Sequence, residues 1–268
     1  MALRILSALI LIPVVLAGVV YATPWWLLTG LGLVGTLCLR EYYGMTRAMG
    51  LHGHPWFGYL ASWILLLGFH GQWIPAPQLL AVVLIGGFLI AIAHGSSMRD
   101  RALGLMTDLL GALYPALFLY PAVSVRFDFG EKRGLEWILI ILAIIWLGDT
   151  FALVVGKSFG RTRFSGSISP KKTNEGAAGG LVAGIFGAVL LQRFLFQELP
   201  LEHVIYLSVL LGIFGQLGDL AESMLKRAAE VKDSSNLIPG HGGVLDRLDS
   251  LLFAFPVAHV YLLFLYRP

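Results

Sequence analysis

The stretch His203-VIYLSVLLGIFGQLGDLAESML-Lys226 decides how the fold is read. As a helix it is about 36 Å long at 1.5 Å per residue, enough to cross a hydrocarbon core of about 30 Å. It is apolar for most of its length. Yet Gln216, Glu222, Ser223, Lys226 and Arg227 lie three, four, seven or eight residues from Asp219. On a helix that spacing gathers them into one polar stripe. Leu217, Leu220, Ala221, Met224 and Leu225 cover the opposite side, and Gly212 and Gly215 continue the stripe upward, leaving room for a neighbouring helix or a ligand. A charged side chain in a span costs about 2.5–3.5 kcal/mol on insertion scales, so it points to function. A single interhelical ion pair of Asp219 would account for one charge but not for the whole stripe.

The rest of the chain agrees with a membrane setting. Of 268 residues, 57% are hydrophobic and only 13% charged, about half the charged fraction of a soluble domain. Mean hydropathy is +0.79. Apolar runs at about 5–22, 25–44, 56–74, 77–94, 104–122, 136–156, 177–197, 203–226 and 249–266 predict nine membrane helices, an all-α polytopic protein. Turn chemistry breaks the runs at Thr23-Pro24, Gly53-His54-Pro55, Pro75-Ala76-Pro77, Gly95-Ser96-Ser97 and Leu199-Pro200. Trp25, Trp26, Trp56, Trp73 and Trp137 fall at run ends, where indoles favour the interface. The net charge of +3 reflects basic residues flanking spans, not a nucleic-acid surface. The single cysteine, Cys38, lies in an apolar run and reads as packing. Met1-Ala2-Leu3-Arg4 and Val20-Tyr21-Ala22 resemble a signal peptide and its cleavage site, but a second apolar run starts at Trp25, and an uncleaved first span is expected.

Nine spans put the termini on opposite sides. With the N-terminus inside, the cytoplasmic segments hold Arg4, Arg40, Arg47, Arg99, Arg101, Lys157, Arg161, Arg163, Lys171, Lys172, Lys226, Arg227, Lys232 and Arg247. The outer side holds Arg126, Lys132, Arg133, Arg193 and Arg267. That asymmetry favours N-in, C-out. It puts the two most polar loops, 157–176 and 227–248, on the cytoplasmic face. Residues 1–122 read as a helical scaffold and 123–268 as the catalytic region.

Both loops carry groups suited to phosphate chemistry. Pro239-Gly240-His241-Gly242-Gly243 is a glycine-rich turn able to aim backbone N–H groups at an anion. Asp246 and Asp249, three apart, share a face if the last helix begins there. Hard oxygen ligands of this type suit magnesium. Lys157 to Gly176 is rich in Lys, Ser, Thr and Gly, which suits polyphosphate binding. Asp149, in the span before it, divides evenly between a functional group and a helix–helix hydrogen bond. Asp108, His70, His203 and His259 read as structural contacts, and the histidines lack zinc-site spacing.

Ser223-Met224-Leu225-Lys226-Arg227, Lys232-Asp233 and the run Pro239 to Asp249 (Pro-Gly-His-Gly-Gly-Val-Leu-Asp-Arg-Leu-Asp) resemble, with every spacing kept, the signature of phosphatidate cytidylyltransferase, or CDP-diacylglycerol synthase. Gly218-Asp219-Leu220, Ser169-Pro170-Lys171-Lys172-Thr173 and Glu175-Gly176 are similar to that family too. The N-terminal half matches only in being apolar helices. The resemblance implies an inner-membrane homodimer that makes CDP-diacylglycerol and pyrophosphate from CTP and phosphatidic acid. It also implies magnesium held by Asp219 and Asp246, with potassium as an optional second cation. Catalytic roles are expected for Asp219, Asp246, Ser223, Lys226 and Arg227. Ser169, Lys171, Lys172, Thr173, Lys232, His241, Gly242, Gly243, Arg247 and Asp249 are expected around CTP. Lys226 and Arg227 suit the phosphatidate phosphate and Lys171 and Lys172 the CTP phosphates, though the two pairs are interchangeable here.

Two rivals are a CTP-dependent polyprenol kinase and an anion transporter. A transporter would carry polar groups deep in its spans on the outer side, whereas here they gather at one face. Topology has a direct test. In a Cys38→Ala background, single cysteines at Ser235, Ser167 and Glu131 are exposed to an impermeant thiol reagent outside intact cells. Only the Glu131 position should react; outside labelling at Ser235 or Ser167 would invert the orientation.

Overall fold

The computed structural model describes residues 2–95 and 97–266, with the side chains of 2–8 left out. Met1, Ser96, Arg267, Pro268 and the Arg4 side chain therefore lie outside the described residues. Nine helices occur among them: α1 (Ala2–Tyr21), α2 (Pro24–Ala48), α3 (Pro55–Gly71), α4 (Ala76–Ala93), α5 (Met98–Phe127), α6 (Glu131–Phe159), α7 (Asn174–Phe194), α8 (Leu201–Ala228) and α9 (Leu245–Phe264). They coincide one for one with the nine apolar runs. Six, α4 to α9, are long and apolar enough to cross a membrane. Helix starts follow local chemistry. Pro24 and Pro55 open α2 and α3, where a missing N–H is harmless. The Ser97 hydroxyl accepts the Asp100 N–H at 3.1 Å and so starts α5 before its apolar run.

One element is new. The loop 157–176 contains an antiparallel hairpin, β1 (Arg163–Ser165) with β2 (Ser169–Thr173), in which Arg163 pairs with Thr173 and Ser165 with Ser169. Glu175 accepts the N–H groups of Arg161 at 3.0 Å and Thr162 at 3.2 Å, tying the strand to the start of α7. Thr173 caps that helix by accepting the Gly176 N–H at 3.1 Å.

The helices divide into two compact units. The first holds Met1–Gly18, Ala22–Tyr120 and Leu225–Arg247; the second holds Val19–Tyr21, Pro121–Met224 and Leu248–Pro268. In the first unit, Trp63 Nε1 on α3 donates to Thr36 Oγ1 on α2 at 3.0 Å. Tyr42 on α2 donates to the Thr107 carbonyl on α5 at 3.1 Å. The buried Asp108 carboxylate anchors the α2–α3 loop: it accepts the His54 N–H at 2.7 Å and the Tyr43 hydroxyl at 3.1 Å, and meets His54 Nδ1 at 3.1 Å. Cys38 is buried, in keeping with packing.

In the second unit α6 and α7 meet through glycine. Gly176, Gly180 and Gly184 recur every four residues on α7. A Cβ at Gly180 would lie 2.6 Å from the Gly148 carbonyl oxygen on α6, and one at Gly184 would lie 3.0 Å from that of Ile144. Small residues at this spacing let backbones approach where lipid gives no hydrophobic drive between helices. His203 Nδ1 lies 2.8 Å from the Tyr261 hydroxyl; His259 packs edge-on against Phe129, and in the first unit His70 does so against Trp25. All three are structural, as expected. Trp25, Trp26, Trp56 and Trp73 are exposed, as interfacial indoles should be. Trp137 corrects the expectation: it is fully buried and packs edge-on against Tyr266 at 5.1 Å, so it is core. The basic residues assigned to the outer side are mostly tied down. The Arg126 guanidinium donates to the carbonyls of Val19 at 2.8 Å and Glu131 at 3.0 Å. Lys132 pairs with Glu198 at 2.6 Å and Arg133 with Glu198 at 3.4 Å.

Gly180→Leu is expected to lower the melting temperature in detergent by at least about 2 °C, from an overpacking cost of about 1–3 kcal/mol. Gly30→Ala, where a Cβ meets open space, should leave it within about 1 °C or raise it slightly. An unchanged melt for Gly180→Leu would mean that the α6 and α7 backbones are not in contact.

Candidate active site

Helix α8 carries the polar stripe as the helical repeat requires. Gly215, Gly218, Glu222, Ser223 and Lys226 are buried, while Ile213, Phe214, Leu217 and Met224 on other sides of the helix are exposed. Gly218 is small because α9 crosses there: a Cβ would press on the Asp249 carbonyl. Glu222, which the repeat puts at the edge of the stripe, is fully buried.

Within the second unit the centre of charge is Asp219. Lys172, from β2, places its ammonium 2.5 Å from Asp219 Oδ2, and the Ser223 hydroxyl donates to Oδ1 at 3.2 Å. Gln216 Nε2 donates to the Ala177 carbonyl at 3.1 Å. On α9, Asp249 Oδ1 accepts the Ser250 N–H at 2.7 Å, and the Ser250 hydroxyl donates to Asp149 on α6 at 3.4 Å. The Asp249 carboxylate lies in electrostatic reach of Asp219, Glu222 and Asp149. Strand alternation separates the two lysines: Lys172 is turned to Asp219, while Lys171 is exposed. Thr173 is committed to capping α7, and Ser169 is half-buried at the first position of β2.

Within the first unit the glycine-rich turn closes on itself. Ile238 N–H donates to the Gly242 carbonyl at 2.8 Å, and His241 N–H to the Ile238 carbonyl at 2.9 Å. Gly240 and Gly242 have φ of +77° and +83°, which only glycine adopts without strain. A Cβ at Gly243 would run into the Ser234 hydroxyl and the Glu41 carboxylate. The Gly243 N–H of the turn, with backbone N–H groups on either side of it, is aimed at carboxylates of the protein itself. Asp246 Oδ2 accepts the N–H groups of Gly243 and Ser234, both at 2.8 Å, and the Ser234 hydroxyl at 2.9 Å. Its Oδ1 meets the buried Lys226 ammonium at 2.6 Å. Glu41, on α2, receives Ser234, Ser235, Val244 and Leu245. Arg227, Lys232 and Arg247 are exposed, and Arg227 donates to the Val231 carbonyl at 3.3 Å.

Each expected metal carboxylate thus has a lysine counter-charge, Lys172 for Asp219 and Lys226 for Asp246. Among the described residues no group of three or more His, Cys, Asp or Glu forms a ready-made metal cage. The donors are nonetheless of the right kind. Carboxylate and hydroxyl oxygens suit a hard dication that also binds substrate phosphates.

Sequence reasoning missed Glu41. Its signal was present: it is a carboxylate in an apolar span, and the rule applied to Asp219 applies equally to it. It was passed over because residues 1–122 read as scaffold.

Comparison with known proteins gives the family. Residues 2–265 match the family model described as the cytidylyltransferase family. The chain is 34% identical to phosphatidate cytidylyltransferase of Bacillus subtilis (strain 168) over 230 residues, 83% of each chain. It is 31% identical to the protein of that name from Staphylococcus haemolyticus, covering 97% of this chain and 96% of the relative. For Synechocystis sp. the identity is 34%, covering 98% and 96%. With the match running through all nine helices, the hairpin and both charged clusters, the chain belongs to the cytidylyltransferase family.

Proposed function

We propose that the protein is a phosphatidate cytidylyltransferase of the bacterial inner membrane, taking CTP and phosphatidic acid to CDP-diacylglycerol and pyrophosphate. The observation that carries this reading is the near full-length similarity to relatives named for that activity. The ion-paired carboxylates at Asp219 and Asp246 support it. A phosphate oxygen of phosphatidic acid attacks the α-phosphorus of CTP in line. The bond from the α-phosphorus to the bridging oxygen breaks, and pyrophosphate leaves with that electron pair. Such a transfer needs positioning and charge neutralisation more than covalent help.

The basic residues hold phosphates. Lys172 and Lys226, now paired with carboxylates, would be free to hold anionic substrate with a cation at those carboxylates. The exposed Lys171, Arg227, Lys232 and Arg247 receive the phosphates of CTP and of the lipid. Ser223 orients Asp219 through its hydroxyl. His241, Gly242 and Gly243 shape the turn beside Asp246, and Ser169, Thr173 and Asp249 border the CTP site. Asp219 and Asp246 are the carboxylates that would hold magnesium, with potassium as an optional second cation, and such a cation would supply charge neutralisation at the phosphates. The active site faces the cytoplasm, with the N-terminus inside and the C-terminus outside, and the enzyme works as a homodimer.

Purified protein given phosphatidic acid, CTP and magnesium should incorporate label from the α-phosphate of CTP into lipid and release γ-label as pyrophosphate. Transfer of γ-label to lipid would mean a kinase instead. Asp219→Asn and Asp246→Asn should each lower turnover by at least about 100-fold, with normal expression and a higher magnesium requirement. The double variant should be little worse than either single one, since groups acting as a unit are not additive. Glu198→Gln, at the Lys132 and Arg133 ion pairs, should keep turnover within about twofold. Near-normal turnover in either aspartate variant would sink the metal assignment.

A further inference from the structure

We propose that Glu41 is a positioning residue for the reaction: its buried carboxylate fixes the turn from Ser234 to Leu245 and, through Ser234, the Asp246 carboxylate. The inference rests on the reading of Asp246 as a catalytic group. Glu41 is 4% exposed and accepts four hydrogen bonds from a segment about two hundred residues away. Its Oε1 takes the Ser235 hydroxyl at 2.6 Å and the Val244 N–H at 2.9 Å. Its Oε2 takes the Ser234 hydroxyl and the Leu245 N–H, both at 2.8 Å. Val244 and Leu245 stand at the start of α9, where N–H groups have no partner within the helix and the helix end attracts negative charge. Glu41 therefore caps α9 from another helix and, with the same two oxygens, holds the preceding loop.

The link to Asp246 is the Ser234 hydroxyl. It lies 2.8 Å from Glu41 Oε2 and 2.9 Å from Asp246 Oδ2. One proton serves two carboxylates, so the position of each depends on the other. Gly243 completes the coupling: its N–H donates to Asp246, while its missing Cβ leaves the space that Glu41 and Ser234 fill. A glutamine at position 41 keeps the size of the side chain but turns an NH2 group toward two donors, so half the clamp is lost. Glu41, Ser234 and Ser235 also line an open cleft of about 390 Å³ with Arg40 and Asn236. Water in that cleft can solvate a released loop, so the substitution loosens the turn without collapsing a dry core.

The test uses the full-length protein in detergent. Glu41→Gln should lower kcat at least about tenfold, with elution and melting temperature close to wild type. Hydrogen exchange should quicken at Ser234, Gly243, Val244 and Leu245 and stay unchanged in α6 and α7. Added to Asp246→Asn, it should cost less than about twofold more, because it acts through the group already lost. A merely structural lesion would instead multiply the two losses. Ser234→Ala, which keeps the Glu41 carboxylate, should show a smaller loss, about threefold or more, with the same non-additivity, and it serves alone if Glu41→Gln does not fold. Unchanged exchange in the turn, or multiplied losses, would overturn the proposal. A wild-type protein that transfers no α-label would sink the reading of the reaction and the catalytic consequence with it. The exchange measurement would still report on the clamp.

Discussion

Glu41, Asp108, Asp219 and Asp246 are carboxylates on helices of a chain with very little charge to spare, and each must find its compensation inside the protein. They do so in two ways. Asp219 and Asp246 take a lysine ammonium each. Glu41 takes backbone N–H and hydroxyl donors, and Asp108 takes a tyrosine, a histidine and a backbone N–H. The second way orders irregular backbone, because the donors come from loops. The 49–54 loop is fastened by Asp108, and the glycine-rich turn by Glu41 and Asp246 together. Irregular backbone next to a membrane survives where protein groups satisfy it, and these carboxylates provide that.

The two lysine pairs differ in setting. Lys226 and Asp246 are both buried, and Asp246 has three further donors on its second oxygen. Lys172 and Asp219 are only partly covered, at 26% and 30% side-chain exposure. An ion pair open to water and phosphate exchanges partners more readily than one that is enclosed. The hairpin that carries Lys172 is short and is fastened to the start of α7 through Glu175 and Thr173.

The helices were legible because apolar runs of spanning length have few alternatives, and the stripe on α8 was legible because six polar residues kept a helical period. Boundaries were less so. The start of α5 lies at Met98 rather than near residue 104 because Ser97 caps a polar first turn, which a hydropathy reading discounts. The hairpin escaped notice because strands of three and five residues, held by a glutamate outside them, leave no alternating pattern. Trp137 was misplaced because indoles at run ends are usually interfacial, and only the packing of Tyr266 shows that this one is core. Likewise nothing in the sequence near Glu41 reveals that its donors lie at Ser234 to Leu245. Of the N–H groups in the turn, that of Gly243 meets a carboxylate from inside the chain, Asp246, a partner that the glycine pattern alone does not name.

The separation between Glu41 and its donors sets an order of events during synthesis. Val244 follows Glu41 by 203 residues, about 10–40 s of translation at the usual 5–20 residues per second. Through that interval α2 is already made while its carboxylate lacks every one of its four donors. Non-local closures of this kind form late because chain entropy opposes them until everything between is in place. The turn beside Asp246 is thus among the last parts of the protein to take shape, and a truncated or stalled chain lacks it however well its earlier helices have inserted.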